Sequence, residues 1–174
     1  MTNNLQSKWF PTMADVVTFL FCISFGITTV AIPLLALEAG HGVSGVGVLA
    51  ATSAGSQVLG RLGLTRMLDI FATKTLLAGA VVVMGLSSLL PVFSTTFAVL
   101  LLAQVLQGIS RAYFWTSAQT HAVISGPDRV TSVTRMNIVV SLGLLTGPIL
   151  GGFVASQSLG RALLISGAVG MVAW

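Results

Sequence analysis

The sequence predicts an all-α membrane protein of six helical spans, the sixth cut short. Three observations carry this reading. Charged residues are 7% of the 174-residue chain and hydrophobic residues 55%, where soluble domains are about a quarter charged, so polar side chains are too few to clothe a soluble surface. Mean hydropathy is +0.98. The apolar residues fall into runs close to the about 20 that cross about 30 Å of hydrocarbon as a helix.

Residues 16–37 carry no charge and form the first span, with Pro33 set to bend it near its far end. Residues 43–64 form the second, with Arg61 near its end, and residues 75–93 the third, closed by Pro91. The fourth and fifth are residues 97–116 and 137–155. A sixth starts at Ala162 and runs to Trp174, which at about 1.5 Å per residue is roughly 20 Å and does not cross. The whole of 1–174 therefore reads as one transmembrane bundle, a fragment or truncated product of something longer.

Orientation follows from the connections. Those after spans one, three and five ("EAGHG", "STT", "SQSLGR") hold a single basic residue, Arg161. The N-terminus and the connections after spans two and four hold Lys8, Arg66, Lys74, Arg129 and Arg135. Basic residues concentrate on the cytoplasmic side, so the expectation is an integral protein of the cytoplasmic (inner) membrane with its N-terminus inside. The N-terminal run is too long for a signal-peptide core and lacks a cleavage site. The formal charge of +4 is scattered between apolar runs without a basic patch, so nucleic acid is excluded as a partner. The lone Cys22 cannot form an intrachain disulfide and reads as a small buried hydrophobe.

Enzyme chemistry finds no support. The sequence has no H-E-x-x-H, no G-x-x-x-x-G-K-[ST] and no His, Cys or carboxylate cluster at ligand spacing, so neither metal nor cofactor is expected. A channel would need a filter loop or charged ring, and neither is evident.

The unusual stretch is Ser141 to Gly152, "SLGLLTGPILGG". Gly143, Gly147 and Gly151 recur at i, i+4, i+8 and share one helix face, where missing side chains let a neighbouring backbone come close. Pro148 removes a backbone donor and clashes with the carbonyl of Leu144. On spacing alone this is a small-residue packing seam. The full pattern G-x-x-x-G-P-x-x-G-G, with Gly143, Gly147, Pro148, Gly151 and Gly152 all in place, resembles the fifth-helix signature of the drug/proton antiporter branch of the major facilitator superfamily.

Two further stretches resemble the same family. "TRMLDIFATKTLL", Thr65 to Leu77, is similar to its loop between helices two and three: Asp69 and Lys74 fall on the acidic and second basic positions and Leu77 on the final leucine. Thr65, Ile70, Ala72 and Thr73 depart from it. The resemblance implies a cytoplasmic latch for one conformational state, here with fewer charged partners; the alternative is a solvated loop. "LLLAQVLQGISRAYFW" is similar to l-x-x-R-x-x-q-G in span four: Gln107 and Gly108 match, and Gln104 stands where the family has an arginine linked to proton transfer.

Gln104, Gln107, Gly108 and Arg111 share one helix face by their spacing, and a polar stripe on a spanning helix belongs towards the bundle or a water cavity. Gln104, Gln107, Arg111 and Asp15 are the candidates for substrate or coupling contacts. Arg111 either replaces the missing family arginine or snorkels to the cytoplasmic end. Asp15 either favours the positive end of the first helix dipole or, since the family's helices one and four line the central cavity, pairs with Arg111. Tyr113, Phe114 and Trp115 read as an interfacial belt.

The resemblance implies the N-terminal half of a twelve-helix transporter, built of 3+3 inverted repeats with substrate bound between halves, although no internal sequence repeat is visible. The function it implies is secondary-active export of a small molecule by alternating access, with proton coupling one option. Its partners would be the lipid bilayer, the substrate, and the missing C-terminal half or another copy. The rival reading is a non-transporting truncated fragment or a partner-binding half.

Overall fold

The computed structural model describes residues 12–125 and 128–172, without the side chains of residues 65, 68, 69 and 125. Among the described residues there are six α-helices and no strand: α1 (Met13–Glu38), α2 (Gly42–Ile70), α3 (Thr73–Phe93), α4 (Phe97–Ser125), α5 (Arg129–Ala155) and α6 (Leu159–Val172). Five are long and apolar enough to cross a membrane, and α6 is shorter.

Local chemistry sets the ends. Thr12 and Asp15 form a capping box that satisfies the first backbone donors of α1. Gly40 and Gly42, at φ +82° and +67°, turn the chain into α2 in a region other residues rarely adopt. Asp128 caps α5 by accepting from the Thr131 N–H.

The helices outrun the predicted spans at the cytoplasmic side of the expected topology. α2 continues to Ile70 and α3 begins at Thr73, with Phe71 and Ala72 extended between them, so the stretch from Thr65 to Leu77 is two helix ends joined by a tight break. α4 continues to Ser125, and α5 begins at Arg129 rather than at 137. A hydropathy window closes where apolar residues stop; backbone hydrogen bonding continues into water.

Packing follows a 3+3 pattern. α1 lies against α5 and α6, α4 lies correspondingly against α2 and α3, and α3 meets α6. Each of the first three helices thus has a counterpart in the second three, a symmetry of contacts that left no trace in the residues. Within lipid the hydrophobic effect adds little between helices, so close van der Waals approach and interhelical hydrogen bonds must hold the bundle. Glycine supplies the approach at the α1/α5, α2/α4 and α3/α6 crossings: a Cβ on Gly26 would lie 2.8 Å from the Gly147 Cα, one on Gly60 3.0 Å from the Ala112 Cβ, and one on Gly170 3.0 Å from the Gly85 Cα. Serine supplies the hydrogen bonds. Ser24 Oγ donates to the Ser166 carbonyl at 2.9 Å, Ser166 Oγ reaches the Ser24 carbonyl at 2.9 Å, and Ser88 Oγ stands 3.2 Å from Ser166 Oγ.

One expectation is corrected here. Phe114 is no interfacial residue: it is fully buried, stacked on Phe21 with ring centroids 3.6 Å apart, and Trp115 meets both rings edge-on. Because α4 extends to residue 125, Phe114 lies well inside the helix rather than at its end. Such ring contacts contribute roughly 0.5–1.5 kcal/mol beyond area burial.

Candidate functional site

Glutamine and arginine are poor lipid neighbours, so their place within a spanning helix must be explained by what they face. Gln104, Gln107 and Arg111 of α4 line a cavity of about 200 Å³ between α1, α2 and α4. Ser53 and Gln57 of α2 and Phe25 and Thr29 of α1 complete its polar and aromatic wall. Gln104 is 8% exposed and Gln107 3%. Gly108 turns the other way: a Cβ there would collide with the Ser56 hydroxyl and the Ser53 carbonyl, so its absence seats α4 directly on α2 beside the cavity.

Arg111 is turned inward. Its Nη2 donates to the Ser53 Oγ, and its guanidinium carbon sits 4.8 Å from the centroid of the Phe25 ring. These contacts draw the side chain towards α1 and α2, so its stem does not run out to the helix end as snorkelling requires. The nitrogen atoms Gln107 Nε2 and Arg111 Nε are buried and meet no acceptor among the described residues.

Asp15 stands apart from this cavity. Its Oδ2 accepts from the Thr12 N–H at 2.7 Å and Thr12 Oγ1 at 2.8 Å, and it lies 2.9 Å from Arg135 Nε. The Asp15–Arg111 pair is therefore not formed: the carboxylate is tied to its own helix start and to α5, and Arg111 to Ser53. The side chain of Asp69 lies outside the described residues, and Lys74 is exposed in the first turn of α3.

The glycine face of α5 packs as its spacing predicts, and its partner is α1. Gly143, Gly147 and Gly151 are buried. Cβ atoms there would lie 2.5 Å from the Cys22 Cβ, 2.9 Å from the Gly26 Cα and 2.9 Å from the Ile27 Cα, in that order. Pro148 joins the seam, its Cδ 2.6 Å from where a Gly26 Cβ would stand. Gly152 does not, since a Cβ there meets nothing within 4 Å. α5 remains one helix through Pro148.

Ser53, Gln57, Thr29 and Phe25 were missed by sequence reasoning. For Ser53 and Gln57 a signal existed: polar residues at i, i+4 in a spanning helix define a face that avoids lipid. Phe25 carried none, because an aromatic in an apolar run looks the same on every face. Among the described residues no group of three His, Cys, Asp or Glu is placed to hold a metal ion.

Six packed helices with a polar, cation-bearing cavity among three of them define an integral membrane protein of the helical-bundle type. The chain belongs to the Major Facilitator Superfamily, whose sequence model matches residues 15–174, and it has the six-helix N-terminal bundle of that fold. It is also similar to the tetracycline resistance protein, class B, of Escherichia coli, at 32% identity over 153 residues. That match covers 84% of this chain and 37% of the relative, so the chain spans little more than a third of that protein's length.

Proposed function

We propose that the chain is the N-terminal half of a secondary-active exporter that moves a small molecule across the membrane by alternating access, using the α1–α2–α4 cavity as its share of the substrate site. The observation that carries this reading is the cavity itself. Two glutamines and an arginine at membrane depth are costly on a spanning helix and characteristically line a pathway. Family membership supports transport, and likeness to a resistance protein supports export. Gln104, Gln107 and Arg111 contact substrate, and the α1/α5 glycine seam keeps the bundle sealed while it moves as a body.

Asp15 is the candidate coupling carboxylate in this reading. Asp15 is buried, whereas Glu38 and Asp128 are exposed. Asp69 and Lys74 act as the cytoplasmic latch in this reading.

The test is efflux from cells expressing the full-length protein, with a panel of fluorescent substrates. Gln107→Ala and Arg111→Gln should abolish efflux at unchanged membrane levels. Undiminished efflux by both variants would remove the cavity from the mechanism.

A further inference from the structure

We propose that the cavity binds an organic anion: a small molecule whose acid group faces Arg111 and Gln107 and whose apolar body lies against Phe25, Pro33 and Val46. This rests on the reading of the cavity as a substrate site and names the substrate class of that site.

The charge inventory carries the inference. The chain has four acidic residues, Asp15, Glu38, Asp69 and Asp128, and none of the three whose side chains are described lines the cavity. Asp15 is engaged by Arg135. Glu38 is the last residue of α1, and Asp128 precedes α5 as its cap. Asp69 lies near the far end of α2, roughly 18 Å along the helix from Gln57 at about 1.5 Å per residue. Among the described residues Arg111 is the one charged group in the cavity wall, and no described acidic side chain neutralises it there.

The hydrogen-bond inventory points the same way. Among the described residues Arg111 has one side-chain acceptor, the Ser53 hydroxyl, while its Nε and the amide nitrogen of Gln107 are buried without any. An unmet buried donor costs about 1–3 kcal/mol, and a guanidinium within a membrane more. A carboxylate supplies two acceptor oxygens and the counter-charge together, in the geometry a guanidinium fork matches. The volume sets the scale. About 200 Å³ falls below the roughly 300–1,000 Å³ of pockets that enclose a drug-sized ligand, so this bundle holds the acid end and about one ring of the molecule.

The sign of the potential in the cavity can be read without knowing the ligand. Ala54, a wall residue, is replaced by cysteine in the purified protein on a Cys22→Ser background. Two methanethiosulfonates of similar size are compared, the anionic sulfonatoethyl and the cationic trimethylammonioethyl reagent, each rate normalised to free 2-mercaptoethanol. The anionic reagent should be preferred on the order of tenfold, the low end of focusing in a charged low-dielectric cleft. Arg111→Gln should erase that preference and Arg111→Lys retain it, which separates loss of charge from loss of fold. No preference, a cation preference, or an anion preference unchanged by Arg111→Gln would each overturn the anion site. Failure of both reagents to react until the protein is unfolded would instead overturn the cavity as a reachable substrate site.

Discussion

The Asp15 carboxylate, in the first turn of α1, lies 2.9 Å from the Nε of Arg135, in the second turn of α5, and their side chains are only 7% and 17% exposed. The pair fastens one end of a helix contact that the glycines of α5 zip further along. Charge and close packing thus act on the same two helices.

Removing the charge at Asp15 should loosen this end of the bundle. An amide oxygen can still accept from Thr12, so Asp15→Asn isolates the ion pair from the helix cap. Breaking one side of a buried pair costs about 3–5 kcal/mol, and a fall in the thermal unfolding midpoint in detergent is expected. Asp15→Asn and Arg135→Gln together should cost less than the sum of the single changes. Strict additivity would show that the pair contributes nothing to the bundle.

Along the seam, the expected outcomes differ by position. Gly147→Ala places a methyl within 2.9 Å of the Gly26 backbone, overpacking of a kind that costs about 1–3 kcal/mol. Gly147→Leu should abolish transport by the full-length protein with membrane insertion retained. Gly152→Ala, which enters open space, and Leu145→Val, at a side chain 62% exposed, should be near neutral. Equal effects of Gly147→Ala and Gly152→Ala on the unfolding midpoint would contradict the packing described.

Topology gives a separate check. Single cysteines at Ile70 and Ala39, on a Cys22→Ser background, sit at exposed positions at opposite ends of the bundle. An impermeant thiol reagent added to intact cells should label position 39 and leave position 70 untouched. The reverse pattern would invert the orientation inferred from the basic residues.

By itself, the 174-residue chain should carry no gradient-driven flux in proteoliposomes, because alternating access needs a second bundle across the cavity. Co-expression with a matching C-terminal half should restore some. Saturable flux from the chain alone would point to a transporter that works as an oligomer.

Much of this architecture was legible in the residues because the membrane imposes simple rules. Apolar run length counted the helices, and four-residue glycine spacing located the α5 seam without naming α1 as its partner. The α4 stripe was legible for the same reason, since glutamine and arginine have few tolerable directions in lipid. What stayed hidden needed a second helix to define it. Asp15 read as serving its own helix dipole or facing Arg111, and only the packing of α1 on α5 brings Arg135 to it. Phe114 was misread because aromatics suit both the interface and the core, and the true end of α4 was not marked by hydropathy. The 3+3 arrangement was invisible because equivalent helices share packing roles and not side chains.

The Ser24–Ser166 bonds join residues 142 positions apart, and this separation imposes an order on biosynthesis. As the chain leaves the ribosome, α1 reaches the bilayer before the other five helices, yet its glycine and serine contacts do not exist until α5 and α6 have been translated. The contacts among α2, α3 and α4 meet none of that delay: Ser110 can reach the Ala80 carbonyl, and Gly108 can settle on α2, as soon as α4 is made. The earliest made of these six helices is thus among the last to find its full set of neighbours, and until then its Ser24 hydroxyl must be satisfied by α1's own backbone.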